Sequence, residues 1–192
     1  MKKIFLLIVP MLLVSAFAKS QALNEDEKFY SQHFDEILAL IRNEHPLGEL
    51  MLGRYALIDI DGDGIKELWI KDVIDENGAF VCRGGGKLEI IALQYQMMTI
   101  NLYGNTICQS GHAGTGAFYA RYVKLENSAV AEVFTDLQLI NFETEEEEHE
   151  CTVNDKDISY EDFLKIENAL PKPKSPKAKM WQSVERLGWK VE

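Results

Sequence analysis

The sequence predicts an α+β fold: an N-terminal amphipathic helix packed on an antiparallel β-meander, with short C-terminal helices. Three observations carry this. A capped, helix-periodic segment follows the leader; short β-branched and aromatic runs broken by turn residues occupy Arg54 to Val153; two further capping signatures come after them.

The first helix begins at Asn24, whose side chain precedes Glu25, Asp26 and Glu27, with Glu27 at the spacing of a capping box. Phe29, Tyr30, Phe34, Ile37, Leu38 and Ile41 then recur on one helical face, and Pro46 ends the helix at about His45. In the middle, Lys87–Gln96, Ala117–Leu125 and Val130–Phe142 read as strands. They are separated by turn residues at Asn77-Gly78, Gly84–Gly86, Tyr103–Asn105, Ser110–Gly116 and Glu126–Ser128. Ser159 caps a short helix running to about Leu170. Residues 171–179, "PKPKSPKAK", form a proline- and lysine-rich connector. Within it Ser175-Pro176 reads as the cap of a last helix that ends at Gly188 and docks residues 180–192 on the body through Trp181 and Trp189.

These elements make one α+β domain over residues 23–170. Residues 1–18 stand apart: Lys2 and Lys3 precede an apolar run that closes on Ala16-Phe17-Ala18, the pattern of a secretory signal peptide, with Ala22 as the alternative cut. The run is shorter than the roughly 20 residues that span a bilayer and contains Pro10. The expected location is extracytoplasmic, periplasmic or secreted. The chain carries a formal charge of −11, and loss of Lys2 and Lys3 takes it to −13. Nucleic acid and anionic membrane surfaces are therefore poor partners.

The most specific motif is "ALIDIDGDGIKELWI", Ala56 to Ile70. Counting Asp59 as position one, Asp61 and Asp63 fall at three and five, Gly64 at six, Ile65 at seven and Glu67 at nine. Carboxylates at one, three and five, a carbonyl from Ile65 and the Glu67 carboxylate follow the spacing by which a loop wraps a hard cation; calcium suits so many oxygens. The alternative, an acidic surface turn, crowds three like charges beside apolar strands. An EF-hand would place a glutamate at position twelve, where Ile70 stands, and would have helical flanks. The flanks Tyr55–Ile58 and Leu68–Ile70 are strand-like, so the site is strand-loop-strand with a structural calcium ion.

This stretch resembles the DxDGDGxxEL calcium loops of secreted bacterial proteins and is similar in spacing to those of integrin-type propeller repeats. It resembles more closely a "Y-A-L-x-D-I-D-G-D-G-x-x-E-L" phrase in small, uncharacterised exported bacterial domains. In those domains the loop lies between a first helix and an antiparallel sheet, often followed by an "ISYEDF"-like helix, here Ile158 to Phe163. The resemblance implies a calcium-binding, extracytoplasmic α+β domain and no activity.

Other chemistry is sparse. His112 lies in the glycine-rich "SGHAGTGAFY", which lacks the lysine and helix start of a phosphate loop. His33, His45 and His149 show no ligand spacing, and no serine sits in a GxSxG elbow. Tyr95, Tyr103, Tyr119 and Tyr122 fit a core better than a sugar-stacking face. Cys82, Cys108 and Cys151 make either one disulfide with a spare thiol or three small buried hydrophobes. The acidic run Glu145–Glu148 reads as a solvated hairpin tip. The expected function is an exported calcium-stabilised module that binds a protein or glycan. The alternatives are a secreted hydrolase built on His112 and a nearby carboxylate, or an inhibitor-type protein.

Overall fold

Asn24 opens the first helix with the expected capping box: its side chain accepts from the Glu27 N–H at 2.9 Å, and Glu27 accepts from the Asn24 N–H at 2.9 Å. The computed structural model describes residues 22–44, 52–72, 77–95, 97–179 and 181–189. The signal segment, the expected helix end at His45-Pro46 and the acceptor side of the Asn77 turn lie wholly or partly outside these residues. No helix of the described residues is long and apolar enough to cross a membrane.

The expected single N-terminal helix is two, α1 (Glu25–Gln32) and α2 (Phe34–Glu44), meeting at His33. The His33 ring stacks on Phe29 at 4.2 Å and hydrogen-bonds the Phe29 carbonyl, while the His33 backbone N–H donates to the Tyr30 carbonyl. The bend lets Tyr30, Ile37 and Ile41 all bury against one sheet.

That sheet contains β1 (Leu52–Ile58), β2 (Glu67–Asp72), β3 (Gly78–Cys82) and β4 (Glu89–Gln94). A two-residue strand, Gln182–Ser183, is added on the free side of β1. The second sheet contains β5 (Met98–Tyr103), β6 (Thr106–Gly114), β7 (Ala117–Glu126), β8 (Ala129–Ile140), β9 (Glu147–Val153) and β10 (Lys156–Ile158), each paired antiparallel with the next. A third helix, α3 (Tyr160–Ala169), covers its outer face.

The α+β prediction is thus corrected to a mostly-β protein. Of the described residues 48% are strand and 23% helical, and the strands form two sheets rather than one meander. The physical reason lies in β2 and β3, which are buried along their whole length. Leu68, Ile70 and Val81 point to the α1–α2 side, whereas Trp69, Phe80 and Cys82 point to a second apolar layer. That second layer can be covered only by another sheet, through Ile100, Ile107, Val123 and Leu125.

The expected last helix is also corrected. Residues from Pro171 run extended, and Lys174 exchanges two backbone hydrogen bonds with Leu102 of β5. Val184–Leu187 form only a short 3-10 turn, closed by Gly188 in the left-handed region at φ 81°. Pairing with β1 and the packing of Trp181 on Trp69 at 4.6 Å outweigh the local cap at Ser175. Trp189 rests on Phe34 at 4.5 Å.

The turn also delivers Arg186 to a buried carboxylate. Glu27, 1% exposed, receives Arg186 Nε at 2.9 Å and Nη2 at 3.0 Å, together with the Tyr55 hydroxyl at 2.8 Å. The Arg186 hydrogen bond, against the cost of burial, holds the Glu27 carboxyl down at about 2. Its stabilisation is therefore complete above the ordinary value of 4.5 and is lost as pH falls toward 2. Glu27→Gln should cost about 2–3 kcal/mol at neutral pH. In thermal melts from about pH 6 to pH 2.5, the gap between wild type and variant should close with acidification.

Candidate metal centre

The aspartate stretch lies where the sequence places it, as the connection between β1 and β2, which pair from Leu52↔Asp72 to Ile58↔Glu67. Gly62 and Gly64 adopt φ of 81° and 89°. A side chain at either would meet nothing within 4 Å, so backbone conformation rather than space calls for glycine there. The carboxylates order the turn themselves. Asp59 accepts from the N–H groups of Gly62 at 2.7 Å and Gly64 at 3.1 Å. Asp61 accepts from Asp63 N–H at 3.2 Å, and Asp63 from Ile65 N–H at 2.7 Å.

Asp59, Asp61 and Glu67 each offer an oxygen within 4.8 Å of the others. Asp63 is not in this group. One of its oxygens accepts from the Ser128 hydroxyl at 2.9 Å, and Ile65 lies at the exposed surface. Glu67 is fully buried at the start of β2. Its Oε2 accepts from the Ile60 N–H at 2.8 Å, while Oε1 has no hydrogen-bond partner among the described residues. Burial is the main reason its carboxyl is pushed up to about 7; the Ile60 N–H and nearby Ser128 oppose this, and Asp61 adds to it. Ile60 is buried in the layer between the sheets, which pins the loop from below. The Tyr30 hydroxyl donates to the Lys66 carbonyl at 2.8 Å and ties the loop's far end to α1.

Sequence reasoning missed Ser128. It sits in the β7–β8 turn of the other sheet, fully buried at φ 54°, and donates its N–H to Asp61 at 2.8 Å as well as its hydroxyl to Asp63. Gly84 permits this approach, because a Cβ there would overlap Ala129 and the Ser128 carbonyl. The one available signal was Asn127-Ser128 as a turn, and nothing in one chain of letters pairs it with an aspartate loop 65 residues upstream.

The other candidates separate. His112 belongs to β6 rather than to a turn; it is exposed, lies edge-on to Phe118 at 5.9 Å, and has no carboxylate partner among the described residues. His149, passed over in the sequence, hydrogen-bonds Asp136 at 2.9 Å and stacks on Tyr160 at 3.6 Å, fastening α3 to β9. Tyr122 packs on Phe134 beneath the same helix. The cysteines are free and buried, and burial raises the thiols of Cys82 and Cys108 to about 11 and that of Cys151 to about 12. None is poised as a nucleophile.

No family model, curated protein or solved structure matches the chain.

Two measurements check this geometry. Ser128→Ala should lower stability by about 1–2 kcal/mol in urea unfolding, since a hydrogen bond to a charged carboxylate is lost. A thiol reagent should modify the three cysteines at a negligible rate in the native protein and rapidly in denaturant.

Proposed function

We propose that the protein is an exported, calcium-stabilised binding module. The cation would be held by Asp59, Asp61 and Glu67, with Asp63 and the Ile65 carbonyl as the further oxygens of the loop. The observation that carries this reading is Glu67 Oε1, a fully buried carboxylate oxygen with no hydrogen-bond partner among the described residues, beside two other carboxylates. Leaving such an oxygen unpaired is costly, and a hard cation supplies what no neighbouring N–H does. The donor set is oxygen only, which fits calcium and not a soft metal.

A cation so enclosed by protein ligands is a clasp rather than a reagent. Because Asp61 and Asp63 also hold Ser128, the ion would brace both sheets at once. The partner, a protein or glycan, has a suitable surface beside the clasp. There Asp61, Asp63, Asn105, Glu126 and Asn127, with Leu125, line an open depression of about 320 Å³ rich in hydrogen-bonding groups. The leader "MKKIFLLIVPMLLVSAFA" supports export.

Calcium at about a hundred times its Kd should stabilise the protein by about 2.7 kcal/mol, raising Tm by roughly 5–10 °C. Chelation should reverse the shift and Glu67→Gln should abolish it; an unchanged Tm in both tests removes the structural-metal reading. Protein recovered from outside the cytoplasm should begin at Lys19 or Leu23.

A further inference from the structure

The connector from Pro171 to Lys179 holds four lysines and no acidic residue in a chain of net charge −11. Three of them, Lys172, Lys174 and Lys177, rim a groove of about 820 Å³ whose floor includes Leu102, Gly104 and Pro171. All four are exposed, and none makes an ion pair among the described residues. The two backbone hydrogen bonds between Lys174 and Leu102 fix the rim against β5.

The β8–β9 hairpin tip has the opposite character. Glu143, Glu145, Glu146, Glu147, Glu148 and Glu150 are all exposed and also without ion pairs among the described residues. Phe142 projects among them at 69% exposure, with Ile140 and Phe118 partly exposed nearby. The tip is an ordered turn: Asn141 Oδ1 accepts from the Glu143 N–H at 2.9 Å, and the Glu145 N–H donates to the Asn141 carbonyl at 2.8 Å.

We infer that the acidic, phenylalanine-bearing tip of one molecule docks in the lysine-rimmed groove of a second copy. The charges are complementary, and the groove's apolar floor suits the one large apolar side chain that the tip exposes. A molecule's own tip does not reach its own groove. Antiparallel pairing puts the Tyr103↔Thr106 turn at one end of the second sheet and Ile140↔Glu147 at the other. Across strands the length of β6 the two ends are roughly 25–30 Å apart. Tip and groove are different surfaces, so a single contact leaves one of each free, and association either closes, a reciprocal two-fold pair being the smallest case, or extends into chains. It is independent of the metal site.

Sedimentation velocity from about 10 µM to about 1 mM tests this, a span that covers interfaces of modest affinity. Wild type should sediment faster as concentration rises. A groove variant (Lys172→Ser, Lys174→Ser, Lys177→Ser) and a tip variant (Phe142→Ser, Glu143→Gln, Glu145→Gln, Glu148→Gln) should each stay monomeric. Mixed together they should form a dimer that grows no further, because one intact groove then meets one intact tip. Phe142→Ser alone, at a position 69% exposed, should weaken association at least tenfold while the circular dichroism spectrum stays that of wild type. Wild type that remains monomeric throughout, either multiple variant associating as wild type does, or a mixture that fails to dimerise overturns the proposal. A monomeric wild type whose lysine resonances shift with poly-glutamate would give the groove to a foreign acidic peptide instead, and overturns it as well.

Discussion

Phe80 and Val81 are neighbours in β3, point to opposite faces of the first sheet, and are both fully buried. A sheet with two apolar faces must be covered twice, and the architecture follows from that requirement. On one side α1, α2 and the C-terminal turn close over Tyr55, Leu68 and Ile70, with Glu27 and Arg186 bonding the two ends of the chain beneath them. On the other side the second sheet supplies the cover. Because that sheet has an outer face of its own, carrying Tyr122 and Phe134, it needs α3 in turn. The result is four layers, each present because the one before it leaves apolar surface exposed.

How much of this could be read beforehand depended on how local each signal was. The capping box at Asn24, the main strands and the helix from Ser159 were legible because a few adjacent residues determine them. The two-sheet arrangement was not. The short apolar runs Leu68–Ile70 and Ala79–Cys82 have no alternation from which to assign faces, and burial on both sides is a property of partners distant in sequence. The final segment failed for a related reason: a good local cap at Ser175-Pro176 competed with a β1 edge and a Trp69 ring that only the fold brings near. The candidate site was legible in its glycines and in the Asp59, Asp61 and Glu67 carboxylates. Its missing half, Ser128, lies on the other sheet and carries no motif.

Ser128 also changes what the aspartate loop is for. Taken alone, the loop is a way to turn from β1 into β2. With the β7–β8 turn bonded to two of its carboxylates, it becomes one of the places where the two separately paired sheets share polar contacts, next to the close approach at Gly84; Arg121 of β7 donating to the Ile91 carbonyl of β4, and Gln109 of β6 accepting from the Leu93 N–H, are others. The apolar layer between the sheets resists separation but not sliding, since hydrophobic contact has no direction. Directional hydrogen bonds at the Ser128 end and between β4 and its facing strands fix the sheets' relative position.

The extended connector has a consequence of another kind. β5 is the outermost strand of the second sheet, and an open strand of this sort is a template on which further chains can stack into fibres. Lys174 occupies part of that edge, and Pro171, Pro173 and Pro176 surround it with residues that have no N–H to offer a newcomer. The lysines on either side add charge that an incoming strand would have to desolvate. A segment that looks like a mere tether between α3 and the final turn thus caps part of the β5 edge, and trimming the chain at Leu170 would lay the Leu102 N–H and carbonyl open to another strand.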